Sequence, residues 1–183
     1  MMNTEQIVGG MSHVTASPAD GGRLELIIVR PAEGERVLPE SVRVSPELGV
    51  EGDKWVRSRG HDMPDGDPDP RTQVTLMNAR ILRLISGEEG RMPLAGDNLI
   101  VDLDLSDENM APGQRLSVGE AVLEVTEVPH NGCGAFLDRY GRDAVKFVNS
   151  PEGKRLHLRG LHAKVITAGV VSVGDEVRKV ATE

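Results

Sequence analysis

The single cysteine, Cys133, carries the clearest chemistry in this 183-residue sequence. A lone cysteine is commonly a small buried hydrophobic residue. The segment around this one, His130-Asn131-Gly132-Cys133-Gly134, is instead polar, and glycine on both sides lets a substrate or another backbone segment come close. A helix that begins just after Cys133, together with His130 or Arg139, would favour the thiolate. The segment therefore predicts a reactive thiol.

Positive side chains follow Cys133 in the last third of the chain. They are Arg139, Arg142, Lys146, Lys154, Arg155, Arg159 and Lys164. The chain as a whole is acidic, with 21 Lys and Arg against 29 Asp and Glu and a net charge of −8. Such a local excess of cations indicates an anion pocket, and solvated charges on a surface helix explain Arg142 and Lys146 equally well. The sequence leaves both interpretations open.

Two kinds of metal site are excluded by the residue pattern. Asp65, Asp67 and Asp69 have the spacing that opens a calcium loop, but prolines intrude and Leu76 stands where a bidentate Glu is required. A zinc site with two thiolates needs a second cysteine, as does an intramolecular disulfide. The histidines at positions 13, 61, 130, 157 and 162 show no metal-ligand spacing.

The composition also bears on location and on partners. An acidic chain with 2% aromatic residues lacks the charge and the stacking platforms of nucleic-acid binders. No apolar run approaches the roughly 20 residues that span a bilayer, and the first residues show no leader pattern. We therefore predict no nucleic-acid partner, no membrane association and a reducing, cytoplasmic location.

The elements that must position Cys133 are mainly strands. Residues 1–22 are rich in Gly and polar residues and predict a flexible arm, and residues 58–72, with their Asp and Pro, predict a long surface loop. A helix is expected between Asn78 and Gly87, another from Gly134 to Asn149 with a break at Gly141, and a helical start at Ser150. Strands are expected at 24–29, 42–45, 73–76, 98–101, 115–118, 121–128, 161–166 and 170–177. This order favours one domain over 23–183, a largely antiparallel β-barrel with short helices.

The same residues resemble a known family. The runs that carry the resemblance are Glu51-Gly52-Asp53-Lys54, Gln73-Val74-Thr75-Leu76-Met77, Gly96-Asp97-Asn98-Leu99, Pro129 to Phe136, Arg139-Tyr140-Gly141, Val148 to Gly153, Leu158 to Val165 and Val173-Gly174-Asp175. Over roughly residues 24–180 the chain resembles the MOSC domain, named after the C-terminal domain of molybdenum cofactor sulfurase. Gly132 stands where many members have Pro.

The resemblance implies a strand-rich barrel and a functional cysteine, which Cys133 matches. In that family the cysteine is proposed to carry sulfur as a persulfide or to ligate the molybdenum of a bound cofactor. Seven further residues are expected at the cofactor site: Asp53, Arg71, Asn98, His130, Arg139, Arg159 and Lys164. The aminotransferase-like domain of the full sulfurase is absent from this sequence, so no intrinsic pyridoxal phosphate activity is expected.

Three functions remain open at this stage. The first is a sulfur carrier, in which Cys133 accepts sulfane sulfur from a cysteine desulfurase or other donor and passes it to a molybdenum cofactor, its enzyme or a metal–sulfur cluster. The second is a molybdenum-dependent reductase of N-hydroxylated compounds with Cys133 as the metal ligand. The third is a non-catalytic binding module with a structural cysteine.

Overall fold

Seven strands close into a barrel in the computed structural model, which describes residues 1–58, 63 and 65–181. The strands in chain order are β1 (Gly22–Ile27), β2 (Ser41–Ser45), β3 (Gly49–Val50), β4 (Val74–Asn78), β5 (Leu99–Asp102), β6 (Arg115–Val118), β7 (Ala121–Val125), β8 (Leu161–Thr167), β9 (Gly169–Ser172) and β10 (Glu176–Val180). Around the barrel they follow the order β1-β10-β6-β7-β8-β4-β5, and β5 pairs with β1 to close it. Only β4 and β5 are parallel among these pairs, which confirms the largely antiparallel barrel.

The barrel interior is aliphatic because strand side chains alternate between two faces. On β7 Ala121, Leu123 and Val125 are buried and face inward. β2, β3 and β9 form a separate three-stranded sheet in the order β3-β2-β9. The sequence predicted one strand over 170–177, whereas the structure has two. The chain turns at Gly174, whose φ of +97° suits glycine, and passes from the small sheet into the barrel.

Four α-helices and three short 3₁₀ segments complete the described fold. They are α1 (Thr4–Thr15), α2 (Ala79–Ser86), α3 (Gly134–Val148) and α4 (Pro151–Arg155), with 3₁₀ segments at Lys54–Arg57, Pro70–Thr72 and Glu89–Ala95. α2 begins and ends where its caps predict. The Asn78 side chain accepts hydrogen bonds from the first N–H groups, and Gly87 adopts the left-handed conformation at the other end. None of the described helices is long and apolar enough to cross a membrane.

The first 22 residues differ from the predicted arm, because they contain the 12-residue helix α1. Asn3 and Gln6 form a reciprocal capping box at its start. Ile7 and Val14 lie seven residues apart on one face and are buried against α2 and α3. Two apolar anchors separated by glycines are a weak signal in sequence, and tertiary packing supplies the stability that local propensity lacks.

Ile7→Ala tests whether α1 is part of the packed fold. Ile7 has no exposed surface, so we expect the free energy of unfolding to fall by about 2–5 kcal/mol in a urea titration. Val8, which is 56% exposed on the same helix, is the matched control, and Val8→Ala should change stability by less than about 0.5 kcal/mol. Equal, small effects of both substitutions would show that the segment is a free arm after all.

α3 has the predicted break at Gly141, where φ is +88° and ψ is +171°. This region of the backbone map is open almost only to glycine. A straight helix of 15 residues would be roughly 22 Å long. Yet the Gly132 amide, before α3, donates to the Asn149 side chain, after it, over 2.8 Å. The break therefore folds α3 back on itself and returns its end to the segment that holds Cys133.

Gly141→Ala should destabilise the protein by about 1–3 kcal/mol, because alanine is strained at this φ and ψ. Gly9→Ala in α1 is the control, because it should change the stability in the opposite direction. Gly9 has open space at its Cβ position and a helical backbone, so alanine there should stabilise by about 0.5–1 kcal/mol. Thermal and urea unfolding of both variants measure the difference, and an unchanged stability in Gly141→Ala would contradict the strain at this break.

Candidate active site

Cys133 lies at the N-cap of α3 with an exposed thiol and an extended backbone. Its carbonyl oxygen accepts hydrogen bonds of 3.0 Å from the amides of Phe136 and Leu137, so the first helical turn starts directly after it. The prediction that a helix begins just after Cys133 is confirmed. On the other side, Gly132 is held by Asn149.

A buried ion pair lies beneath this segment. Arg159 Nη1 donates to both carboxylate oxygens of Asp97 at 2.8 and 2.7 Å, and the Asp97 side chain is fully buried. The guanidinium also lies over the Phe136 ring, 4.8 Å from its centroid. Gly160 makes the close approach possible, because a Cβ there would stand 2.2 Å from the Leu76 carbonyl oxygen and 3.3 Å from Asp97 Oδ1.

A second ion pair extends the network. Arg30 Nε and Nη2 donate to the two oxygens of Asp53 at 2.8 and 2.9 Å, and Asp53 is 1% exposed. Asn98 Nδ2 donates to the same carboxylate, and Arg30 Nη1 donates to the Gly96 carbonyl. Burial raises the Asp53 pKa, but the hydrogen bonds and charge of Arg30, together with the Trp55 amide, outweigh it and keep this pKa below its usual value.

His130 lies next to both the first ion pair and His162. Its Nδ1 lies 3.4 Å from Asp97 Oδ1, outside good hydrogen-bonding geometry, and its ring is 4.5 Å from that of His162. Burial, followed by the charge of Arg159, lowers the His130 pKa well below 6.5. Burial also lowers the pKa of His162. Both imidazoles are therefore neutral near pH 7.

A cavity of about 250 Å³ opens beside this network and is lined by more cations than acids. Its positive lining residues are Arg30, Arg36, Lys54, Arg139 and Arg159, and its acidic ones are Glu33 and Glu35. We call this space the cationic cavity. Burial, followed by the charges of Arg139 and Arg30, lowers the pKa of Arg36. Positive charges are therefore crowded here, and an anion would relieve their repulsion.

A wider cavity of about 400 Å³ lies on the other side of His130 and Arg159, which line both spaces. We call it the wide cavity. Apolar side chains from one loop, one helix and one strand form part of its wall: Val128, Pro129, Val148 and Leu161. Asn131 lines the wide cavity, whereas Ala135 lines the cationic cavity. Cys133 stands between these two residues in the chain; it is exposed and lines neither cavity.

The structure brings five of the seven predicted cofactor-site residues, besides Cys133, into this network. They are Asp53, Asn98, His130, Arg139 and Arg159. The other two predicted residues are engaged elsewhere. Lys164 lies on β8 opposite Glu124 of β7 and forms a 2.9 Å ion pair with it. Arg71 is paired with Asp69 and Glu127 outside the cationic cavity.

Four residues of the site were not singled out by the sequence: Asp97, Arg30, Arg36 and Lys54. Asp97 and Lys54 each stand next to a residue that was, and both lie within the runs that carry the family resemblance. Arg30 and Arg36 lie outside the family motifs and next to no predicted site residue. They flank the Pro31 turn after β1, and only the closure of the barrel places this turn against Gly96 and Arg139.

The fold and the site define a single-cysteine β-barrel protein with a cavity lined by several cations. A family model described as the MOSC domain matches residues 70–178, more than half of the chain. The chain belongs to this family, as its motifs predicted. A search of curated proteins finds no match.

Solved structures share the fold. YiiM from Escherichia coli is 18% identical, with a TM-score of 0.57 over 88% of this chain and 71% of that one. The YuaD protein from Bacillus subtilis is 15% identical, with a TM-score of 0.58 over 88% of this chain and 97% of that one. YiiM from Geobacillus stearothermophilus is 17% identical, with a TM-score of 0.57 over 87% and 75%. At these identities the likeness concerns the fold.

The buried neutral state of His130 predicts a loss of stability in acid. Below pH 6.5 the unfolded chain takes up a proton on this residue and the folded chain does not, so the free energy of unfolding falls as pH decreases from 6.5 to 5. One such histidine contributes a slope of about 1.4 kcal/mol per pH unit at most. His130→Gln should reduce the slope measured by urea unfolding. His13→Gln, on the exposed side of α1, should leave it unchanged, and equal slopes in all three proteins would contradict the burial of a neutral His130.

Proposed function

We propose that this chain binds the molybdenum cofactor, with the anionic group of the cofactor in the cationic cavity and the Cys133 thiolate as the sulfur ligand of the metal. The observation that carries the proposal is the cationic cavity, which is lined by His130 and Ala135 on either side of the exposed Cys133 in the chain. Family membership supports the choice of cofactor. Among the described residues, no group of three or more His, Cys, Asp and Glu is arranged to hold a metal ion by itself. A metal here would therefore arrive already held by its organic cofactor.

The donors that line the cationic cavity fit a phosphate group. Arg36 Nε and Arg139 Nη1 donate to the backbone carbonyls of Pro93 and Leu94 at 2.9 and 2.7 Å, and neither forms an ion pair with a carboxylate among the described residues. Their charge is thus available to an anion, in contrast to that of Arg30. Guanidinium groups bind phosphate with two parallel hydrogen bonds. The buried Arg159 Nε, which has no hydrogen-bond partner in the described part of the chain, adds one further donor near this space.

In a reductase, the cationic cavity would hold the cofactor and the wide cavity would hold the organic substrate. When bound, the cofactor supplies the redox chemistry, and thiolate sulfur is the soft ligand type that its metal accepts. The wide cavity, partly apolar and about 400 Å³ in volume, would receive the organic substrate. His130, neutral and shared by both cavities, is placed to hold or pass on a proton between them. The reduction of N-hydroxylated compounds is the activity that the family resemblance implies for such a site.

A second function, a sulfur carrier, is favoured by the exposure of Cys133. In this function the Cys133 thiolate attacks the outer sulfur of a donor's persulfide, such as that of a cysteine desulfurase; the donor thiolate leaves and Cys133 carries the persulfide. A thiolate of the enzyme that uses the cofactor then attacks the terminal sulfur, becomes a persulfide in turn and regenerates the Cys133 thiolate. An exposed thiol can meet such protein partners, and a reducing cytoplasm would keep it free of disulfides.

Molybdenum and sulfane sulfur in the purified protein distinguish the two functions. We expect stoichiometric molybdenum in the wild type and its loss in Cys133→Ala, measured by plasma mass spectrometry. Arg139→Gln should weaken retention of the cofactor by about tenfold, since a hydrogen bond to a charged group is removed. Arg83→Gln is the charge-matched control, because Arg83 pairs with Glu25 and does not line the cationic cavity.

Persulfide on Cys133 without molybdenum would support the carrier. The absence of both signals, in protein produced in cells that make the cofactor, would contradict both functions. Equal losses of molybdenum in Arg139→Gln and Arg83→Gln would mean that the cationic cavity does not hold the anionic group.

A further inference from the structure

The side chain of Asn149 holds the backbone next to Cys133 with two hydrogen bonds. Asn149 Oδ1 accepts from the Gly132 amide at 2.8 Å, and Asn149 Nδ2 donates to the Gly132 carbonyl at 3.0 Å. Both polar groups of one peptide residue are thus paired with one side-chain amide, as they would be with a neighbouring strand. We call this arrangement the Asn149 clamp.

The clamp depends on the break in α3. Asn149 follows the last residue of α3, and Gly132 precedes its N-cap, so the two meet only because Gly141 folds the helix back. The space between them is filled. A Cβ on Gly132 would stand 3.1 Å from Val148 Cγ2 and 3.2 Å from Asn149 Nδ2. A proline at position 132 would have no N–H to donate to Asn149 Oδ1.

Cys133 is therefore fixed from both sides. The Asn149 clamp holds the residue before it, and the first turn of α3 holds its carbonyl oxygen through Phe136, whose ring is buried under Arg159. The Cys133 side chain is exposed and makes no capping hydrogen bond to α3. The position of the thiol relative to the cationic cavity therefore depends on this backbone.

We infer that Asn149 is a positioning residue that holds the Cys133 thiol beside the cationic cavity. This role of Asn149 rests on the proposed function, but the position of the thiol can be tested by itself. Loss of the clamp should free the loop from 130 to 133, so that the thiol spends less time near the cations.

Two disulfide reagents of different charge report on this position. In each reaction the Cys133 thiolate attacks the reagent's S–S bond, a mixed disulfide forms, and one aromatic thiolate leaves. The cations should accelerate the dianionic 5,5′-dithiobis(2-nitrobenzoate) relative to the neutral 4,4′-dithiodipyridine. In Asn149→Ala we expect the ratio of the two rates to fall by about threefold or more. Hydrogen exchange of the Gly132 amide should also accelerate, because its acceptor is gone.

Asn109→Ala is the matched control, since the Asn109 amide also donates to two backbone carbonyls, those of Ala19 and Asp104 at 2.8 Å each, rather than to the segment from 130 to 133. This variant should lose stability but keep the wild-type rate ratio. Should Asn149→Ala fail to fold, Asn149→Gln gives the same readouts, because it keeps the amide and displaces it by one methylene. A wild-type rate ratio and wild-type Gly132 protection in the folded Asn149 variant would overturn the inference. Neither readout requires molybdenum, so a failure of the proposed function would be seen separately.

Discussion

The bidentate ion pair between Asp97 and Arg159 is the interaction on which the site depends. Asp97 is fully buried, and a buried carboxylate is costly unless a paired cation and further hydrogen bonds compensate for its lost hydration. Arg159 supplies that compensation and at the same time forms part of the wall between the two cavities. Removal of either partner would leave an uncompensated charge beneath the cysteine segment. The approach is so close that only glycine fits at position 160.

The site joins two layers of the fold. The barrel and its connections contribute Asp97, Asn98 and Arg159, whereas the helical layer carries Cys133 and Arg139 on α3. Contacts between the layers are both polar and apolar, since the Arg159 guanidinium lies over Phe136 and Arg139 donates to the Leu94 carbonyl. The position of the thiol relative to the cations is therefore set by how α3 packs on the barrel.

The cations of this acidic chain behave differently according to where they lie. Arg115 and Lys164 on strands pair with Glu124 across the ladder, and their charge is used locally. Two of the cations around the cationic cavity, Arg36 and Arg139, instead meet backbone carbonyls, which carry only partial charge. A positively charged cavity thus forms in a protein whose net charge is −8. The net charge of the whole chain does not reveal this local excess of positive charge.

The sequence by itself determined the features that depend on neighbours within about four residues. The caps of α2 at Asn78 and Gly87, the break of α3 at Gly141, the helical start at Ser150 and the helix directly after Cys133 are all of this kind, as are the family motifs. Tertiary structure alone decided the rest. α1 forms because Ile7 and Val14 find a core to enter, and the cationic cavity exists because barrel closure brings Arg30 and Arg36 to Arg139, about a hundred residues away along the chain. Such long-range neighbours leave no periodicity or spacing in one sequence, because packing and charge act through space.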